Sequence, residues 1–347
     1  MREVVITPAE AGQRLDKFLH KYLKDASDGF LYKMLRKKNI TLNQKKAAGG
    51  EKLCAGDRVC LFLSEETCAR FGGGEKALGK QRQLAEQGAA AYRKLHNITV
   101  LYENAHILLL DKPAGALSQK ASPGDLSLNE WLIGYLLARG SITEASLQTF
   151  RPSVCNRLDR NTSGIVICGK SLFGAQEMTR ILKDRSLHKY YLLWVEGQMR
   201  EGRRLEGYLH KDAKTNQVTV FPAWQPQTSP IVTVYKPVAV GERETLVEAE
   251  LITGKTHQIR AHLASAGFPL IGDYKYGNRA QNEERKRRLG ITCQLLHAYK
   301  VVFPALSEPL EELSGREFQA PLPAVFLADS LYRPGETPQF SRNTFPK

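Results

Sequence analysis

The sequence predicts an α+β protein in which a small basic N-terminal module precedes a larger domain built on a largely antiparallel mixed sheet with flanking helices. Three observations carry this. From residue 99 onward, short apolar segments recur, several alternating in period two as strands with one buried face do. Strand pairs separated by turns outnumber strand-helix-strand crossovers, which favours α+β over a doubly wound sheet. The chain has 347 residues, more than one domain usually holds, so one main domain and a smaller module are expected.

Residues 1–63 are the expected small module. Leu15, Phe18, Leu19, Tyr22 and Leu23 recur at helical spacing, and so do Phe30, Leu31, Met34 and Leu35, which predicts two short amphipathic helices. Between the apolar positions lie Arg14, Lys17, Lys21 and Lys24, then Lys33, Arg36, Lys37 and Lys38. A solvated face is the usual fate of such charge, but the module holds 13 Lys and Arg against 7 Asp and Glu, a surplus suited to a polyanion. Two strands should follow, at 40–43 and 57–63, joined through Gly49-Gly50 and Gly56.

Residues 64–98 break the pattern with Gly72-Gly73-Gly74 and then a polar, Ala- and Gln-rich stretch, expected as a linker with helical character. Gly74-x4-Gly79-Lys80 imitates a phosphate-binding loop. Gln81 stands where such a loop needs Ser or Thr for Mg²⁺ and no apolar strand precedes it, so no nucleotide site is expected. Residues 99–330 are the expected main domain. Strands are predicted near 99–102, 106–110, 165–168, 190–195, 217–221, 231–235 and 245–252, and helices at 128–138, 171–184 and 256–266. Residues 331–347 are expected as a C-terminal tail.

The net charge is +14, which points to a polyanionic partner through counterion release at phosphates. No apolar run approaches the roughly 18 residues that span a bilayer, and the N-terminus carries neither a hydrophobic leader nor a small-residue cleavage site, so a cytoplasmic protein with no membrane partner is expected. The six cysteines are scattered with no C-x-x-C pair, and His257 and His262, five apart, diverge by about 140° on a helix. No disulfide framework and no metal site are expected.

The most informative stretch is 155–164, Cys-Asn-Arg-Leu-Asp-Arg-Asn-Thr-Ser-Gly. It sets Asp159 between Arg157 and Arg160 just before an apolar strand. Flanking guanidinium groups can keep a carboxylate ionised and aimed, which makes Asp159 the candidate catalytic group, with an ordinary turn-capping Asp as the plain alternative.

This stretch resembles the Arg-Leu-Asp-x-x-Thr-Ser-Gly motif of the RluA-type pseudouridine synthases. Four further blocks resemble that family in order: Asp111-Lys112-Pro113-Ala114-Gly115; Lys189-Tyr190-Tyr191 through Val195-Glu196-Gly197; Thr253-Gly254-Lys255-Thr256-His257-Gln258-Ile259-Arg260 continuing to His262-Leu263 and Gly272-Asp273; and Gln294-Leu295-Leu296-His297-Ala298. Together they span residues 100 to about 305. Asn156 stands where the family often has His, and Lys255 where it often has Arg. The N-terminal module resembles an S4 RNA-binding domain, with Arg14-Leu15-Asp16-Lys17-Phe18-Leu19 and Gly56-Asp57-Arg58-Val59 as its recognisable ends.

The resemblance implies a pseudouridine synthase fold for the main domain and an RNA uridine isomerase that uses neither metal nor cofactor. The reaction breaks the N1–C1′ bond, turns the base and joins C1′ to C5. Asp159 could attack C1′ or C6, or remove the 2′ proton; all three need the ionised carboxylate. By the same resemblance Arg260 pairs with Asp159, Tyr191 contacts the uracil and takes the C5 proton, and Arg157 fills the gap a flipped uridine leaves in its stack. Lys112, Lys255 and His257 are expected at substrate phosphates. In the N-terminal module Arg14, Lys17, Lys21, Arg36, Lys37 and Lys38 are expected against RNA. An S4 module joined to this domain is the arrangement of RluC- and RluD-like enzymes, which makes 23S ribosomal RNA the expected substrate. Transfer RNA is the second reading, and a non-catalytic S4-type ribosome assembly factor the third, although a mere binder has no use for a carboxylate facing an anionic ligand.

Overall fold

The computed structural model describes residues 1–327; the expected tail 331–347, and residues 328–330 of the expected main domain, lie outside them. The chain divides into two units. The first comprises Met1–Leu110, Ala116–Arg157 and Val166–Arg180, the second Asp111–Gly115, Leu158–Ile165 and the chain from Ile181 on.

The first unit opens with β1 (Arg2–Val5), α1 (Leu15–Tyr22), α2 (Asp28–Arg36), β2 (Ile40–Leu42), β3 (Lys45–Lys46) and β4 (Arg58–Leu61). The strands form an antiparallel sheet in the order β1-β4-β2-β3. Both helices form as the apolar spacing requires. Leu15, Phe18, Leu19 and Leu23, with Leu31 and Leu35, are buried in one core with Ile40 and Leu61. Ser27 caps α2 by accepting the Phe30 N–H at 3.3 Å.

Residues 64–98, expected as a linker, are largely helical and packed. In α3 (Glu65–Phe71), Cys68 is buried in the N-terminal core and Phe71 meets Phe30 with the rings tilted by 37° and their centroids 4.4 Å apart. The P-loop-like residues lie inside α4 (Gly74–Lys94), and Tyr92 near its end meets Trp131 edge-on at 5.5 Å. Polar composition hid this packing, because only a few small and aromatic residues make it.

Trp131 belongs to α5 (Leu128–Ala138), which follows β5 (Thr99–Glu103) and β6 (Ile107–Lys112). The Ser127 and Glu130 capping box fixes where α5 starts. Then come β7 (Ser153–Val154), β8 (Ser163–Gly169) and α6 (Leu172–Lys183).

The second unit is built from β9 (His188–Glu196), β10 (Arg203–Lys211), β11 (Val218–Phe221), β12 (Ser229–Val240), β13 (Glu244–Leu251), α7 (Gln258–Ser265), α8 (Arg279–Leu289), β14 (Leu296–Val302) and β15 (Glu317–Gln319). Its strands run β11-β10-β12-β13-β9-β14, all antiparallel, with β15 paired to β14. The start of β8 pairs parallel with β14, Ser163 opposite His297 and Gly164 opposite Ala298, so the sheet is mixed. Gly164 permits this approach: its φ is +109°, and a Cβ there would sit 2.2 Å from the Ala298 carbonyl oxygen. Trp194, Leu192, Leu246, Ile271 and Leu295 form a core on one face. No helix among the described residues is long and apolar enough to cross a membrane.

Candidate active site

Asp159 lies in the loop that leads into β8. Its carbonyl accepts the Thr162 N–H at 3.0 Å, which closes a turn. The loop is held from below by Lys112 at the end of β6. This lysine is fully buried, and its Nζ donates to the carbonyls of Arg160 at 2.8 Å and Pro113 at 3.0 Å. Gly115 N–H donates to the same Arg160 carbonyl at 2.9 Å. Burial brings the Lys112 ammonium down to about 7, against the opposing pull of the Asp159, Cys293 and Asp111 charges.

The partner of Asp159 comes from α7. Arg260 Nη1 donates to Asp159 Oδ2 at 3.0 Å, while its Nε and Nη2 grip Asp273 Oδ2 and Oδ1 at 2.7 and 2.9 Å. Burial opposes the Arg260 charge, but the Asp273 hydrogen bonds and charge, and then Asp159, outweigh it and raise the guanidinium above its usual range. Asp273 is itself fully buried and also accepts the backbone N–H of Lys275 at 2.9 Å and Tyr276 at 3.2 Å.

His257 stands at the head of α7 in the left-handed region, with φ +52°. Its Nε2 is 3.9 Å from Asp159 Oδ2 and its Nδ1 lies 2.9 Å from the Tyr276 hydroxyl. Burial lowers its pKa, with the Asp159 charge working the other way. The Tyr276 ring also lies 5.2 Å from the Arg260 guanidinium carbon. Gln258 pins this turn to β12: its Oε1 accepts from Thr253 Oγ1 and Lys255 N, and its Nε2 donates to the Val232 carbonyl and Thr233 Oγ1.

Both contacts on the Asp159 carboxylate among the described residues, from Arg260 and His257, fall on Oδ2. Among the described residues nothing donates to Oδ1, so one oxygen is tethered and the other is open. Tyr191, on β9 opposite Ala249 of β13, is buried, and burial together with the Asp159 charge raises its phenol. A cavity of about 310 Å³ is lined by Asn161, Arg260, Tyr274, Lys275, Cys293 and Gln294 among others. Gly272 also lines it; with φ +77°, a Cβ there would press to 2.1 Å from the Cys293 carbonyl.

The structure thus brings Asp159, Arg260 and His257 into contact and sets Tyr191 and Lys112 within reach of the Asp159 charge. Two expectations need correction. Arg157 and Arg160 are exposed, and the guanidinium on Asp159 comes from Arg260 instead, because a loop neighbour in sequence need not be one in space. Lys112 is not a surface phosphate ligand; its ammonium is spent on backbone carbonyls. Lys255 is exposed, and its backbone N–H donates to Gln258 Oε1 at 3.1 Å.

In the N-terminal module, Lys17, Arg36, Lys37 and Lys38 are exposed. Arg14 is exposed and paired with the buried Asp16 at 2.7 Å, and the half-buried Lys21 donates from Nζ to Gln13 Oε1 at 2.9 Å. Asn156 is likewise structural, its Oδ1 accepting the Ile167 N–H at 2.7 Å. Sequence reasoning assigned no role to Asp273, Tyr276 or Asn282. Asp273 had a signal in its Gly-Asp pair; Tyr276 and Asn282 had none.

Comparison with known proteins agrees with this geometry. Residues 106–265 match the family described as RNA pseudouridylate synthase, a span that includes Asp159, Tyr191 and Arg260. The ribosomal large subunit pseudouridine synthase C of Vibrio vulnificus (strain CMCP6) is 29% identical over 310 residues, covering 87% of this chain and 88% of that protein. The protein of the same name from Escherichia coli (strain K12) is 29% identical over 310 residues, covering 86% and 88%. Two solved structures share the fold. Human RNA Pseudouridylate Synthase Domain Containing 4 has a TM-score of 0.54 at 21% identity, covering 70% of this chain and 94% of that one. Human RNA Pseudouridylate Synthase Domain Containing 1 has 0.52 at 21%, covering 68% and 86%. With the matched segment, the five motif blocks and the shared fold in agreement, residues 106–265 of this chain match the RNA pseudouridylate synthase family.

Proposed function

We propose that this chain converts specific uridines of large-subunit (23S) ribosomal RNA to pseudouridine in the cytoplasm, with Asp159 as the reacting group. The observation that carries the reading is the divided carboxylate: Oδ2 is held by Arg260 at 3.0 Å while Oδ1 accepts nothing among the described residues. Such a group is ionised, fixed in one rotamer and available to C1′, C6 or the 2′ proton of a uridine. The substrate follows from the relatives, whose names specify the ribosomal large subunit.

In this reading Arg260 keeps Asp159 charged and oriented, and Tyr191, a neutral buried phenol, meets the uracil and moves the C5 proton. Arg157, exposed on the loop before Asp159, occupies the gap left by the flipped nucleotide, at a cost of a few kcal/mol for unstacking. His257 orients the substrate beside Asp159. Residues 1–63 act as the S4-like RNA-binding domain through Lys17, Arg36, Lys37 and Lys38, where shape and phosphate contacts dominate.

The test is tritium release from RNA labelled at uracil C5, because joining C1′ to C5 expels that hydrogen. Release from ribosomal RNA and none from transfer RNA is the expected result. Release from transfer RNA alone would move the substrate to the second class. No release from either RNA or from a ribosomal particle, with RNA binding intact, would leave a non-catalytic binder.

A further inference from the structure

α8 is polar nearly all round, and a helix without an apolar face has to be held in some other way. Three side chains hold it. Asn282, wholly buried, accepts the Gly272 N–H at 2.8 Å and donates to the Asp273 carbonyl at 3.0 Å. Arg285 pairs with Glu196 at 2.6 Å, and Leu289 packs on the core that contains Ile271 and Ile291.

Counting about 100° per residue from Asn282 sorts the remaining charges onto two flanks. On one flank the cations are neutralised, Arg285 by Glu196 and Arg288 by Glu284 at 3.1 Å. Arg279, Lys286 and Arg287 lie on the other. All three are exposed, and none forms an ion pair with a described residue; Glu283 is the single carboxylate among them. A solvated helix needs no such sorting. Moreover, α8 is tied to two residues that line the cavity, Gly272 and Tyr274: both hydrogen-bond Asn282, Gly272 through its N–H and Tyr274 through its hydroxyl to the Asn282 carbonyl at 3.3 Å.

We propose that the Arg279, Lys286 and Arg287 flank of α8 is a phosphate track for the RNA strand that flanks the uridine being modified. This rests on the RNA substrate proposed above. Three cations spread over two turns of a helix anchored to two residues of the cavity wall match successive phosphates of a strand whose one nucleotide has left the stack. Arg285, tied to Glu196, and Asn282, tied to Gly272 and Asp273, keep the track in register with the segment that holds Arg260.

The test compares the full chain with the triple variant Arg279→Gln, Lys286→Gln, Arg287→Gln and with Arg288→Gln, using a 23S ribosomal RNA transcript between 50 and 200 mM salt. The triple variant should bind about ten- to a hundredfold more weakly, and its log–log salt slope should be shallower by about 2, as expected for three lost phosphate contacts. Arg288→Gln should match wild type in both. An unchanged Kd and slope in the triple variant, with wild-type C5 tritium release intact, would overturn the track while leaving the isomerase reading in place. Absent wild-type release would overturn that reading alone, because the slope is measured on binding. Loss of binding to phosphatidylserine vesicles instead of RNA would overturn the track in favour of an anionic membrane surface.

Discussion

Arg260 Nη1 lies 3.0 Å from Asp159 Oδ2 while the other two guanidinium nitrogens are bonded to Asp273, so one buried cation is shared between a partly exposed carboxylate and a wholly buried one. The sharing is unequal. Asp273 takes two hydrogen bonds and fixes the plane of the guanidinium, and Asp159 receives the third on Oδ2, so that among the described residues nothing donates to Oδ1.

Arg260→Lys should keep the charge and lose the catalytic geometry, because an ammonium cannot bridge both carboxylates with planar, fork-like bonds. We expect kcat to fall at least a hundredfold with RNA affinity nearly unchanged. Arg260→Gln, which leaves Asp273 buried and unpaired, should in addition lower stability by about 3–5 kcal/mol, read from denaturant unfolding.

Lys112 gives the fold a specific pH dependence. Its folded pKa, about 7, lies below the ordinary 10.5 of a lysine, so the unfolded chain binds more protons between those values and stability rises with pH across that window. The neutral amine still has N–H groups for the Arg160 and Pro113 carbonyls. The stability of wild type relative to Lys112→Met should therefore increase between pH 7 and 10. A difference that is flat over this range would show that Lys112 keeps its charge when buried.

Gly164→Ala should be among the most damaging small substitutions in the chain. The added methyl would meet the Ala298 carbonyl at 2.2 Å from a backbone with φ +109°, so β8 has to move away from β14 and carry the Asp159 loop with it. Thermal melting should drop by ten degrees or more, or the protein should fail to fold. Gly124→Ala, with nothing within 4 Å of the new methyl, should melt as wild type does.

The N-terminal cations have a separable effect. Replacing Lys17, Arg36, Lys37 and Lys38 together with Gln should weaken RNA binding and flatten its salt dependence, with kcat at saturating RNA retained, since these residues lie outside the catalytic unit. A salt slope equal to that of wild type would show that this surface does not touch RNA.

Much of the fold was legible because its elements follow apolar periodicity. α1, α2, α5, α6 and α7 lie within a few residues of their expected spans, as do the strands that carry Tyr191 and precede Arg260. α8 was invisible, since Arg-Ala-Gln-Asn-Glu-Glu-Arg-Lys-Arg-Arg-Leu has no apolar stripe and is held by Asn282, Arg285 and Leu289. β10 was missed too, its Arg203, Arg204, Glu206 and Lys211 masking an alternation that only its neighbours β11 and β12 complete. Within the site, the pairing of Asp159 with Arg260 was accessible through family likeness alone, because 101 residues separate them in the chain. The burial of Lys112 was not accessible at all: lysine is nearly always exposed, and only the fold reveals that two carbonyls await its ammonium.

Single-turnover C5 tritium release by wild type and Asp159→Asn, each saturated with 23S ribosomal RNA and with Kd measured on the same samples, tests whether the open oxygen of Asp159 does the chemistry while Arg260 holds the other. If it does, the variant binds RNA as wild type does and releases no tritium above background, since an amide of the same shape can neither attack nor take a proton. Release at the wild-type rate by Asp159→Asn would contradict it.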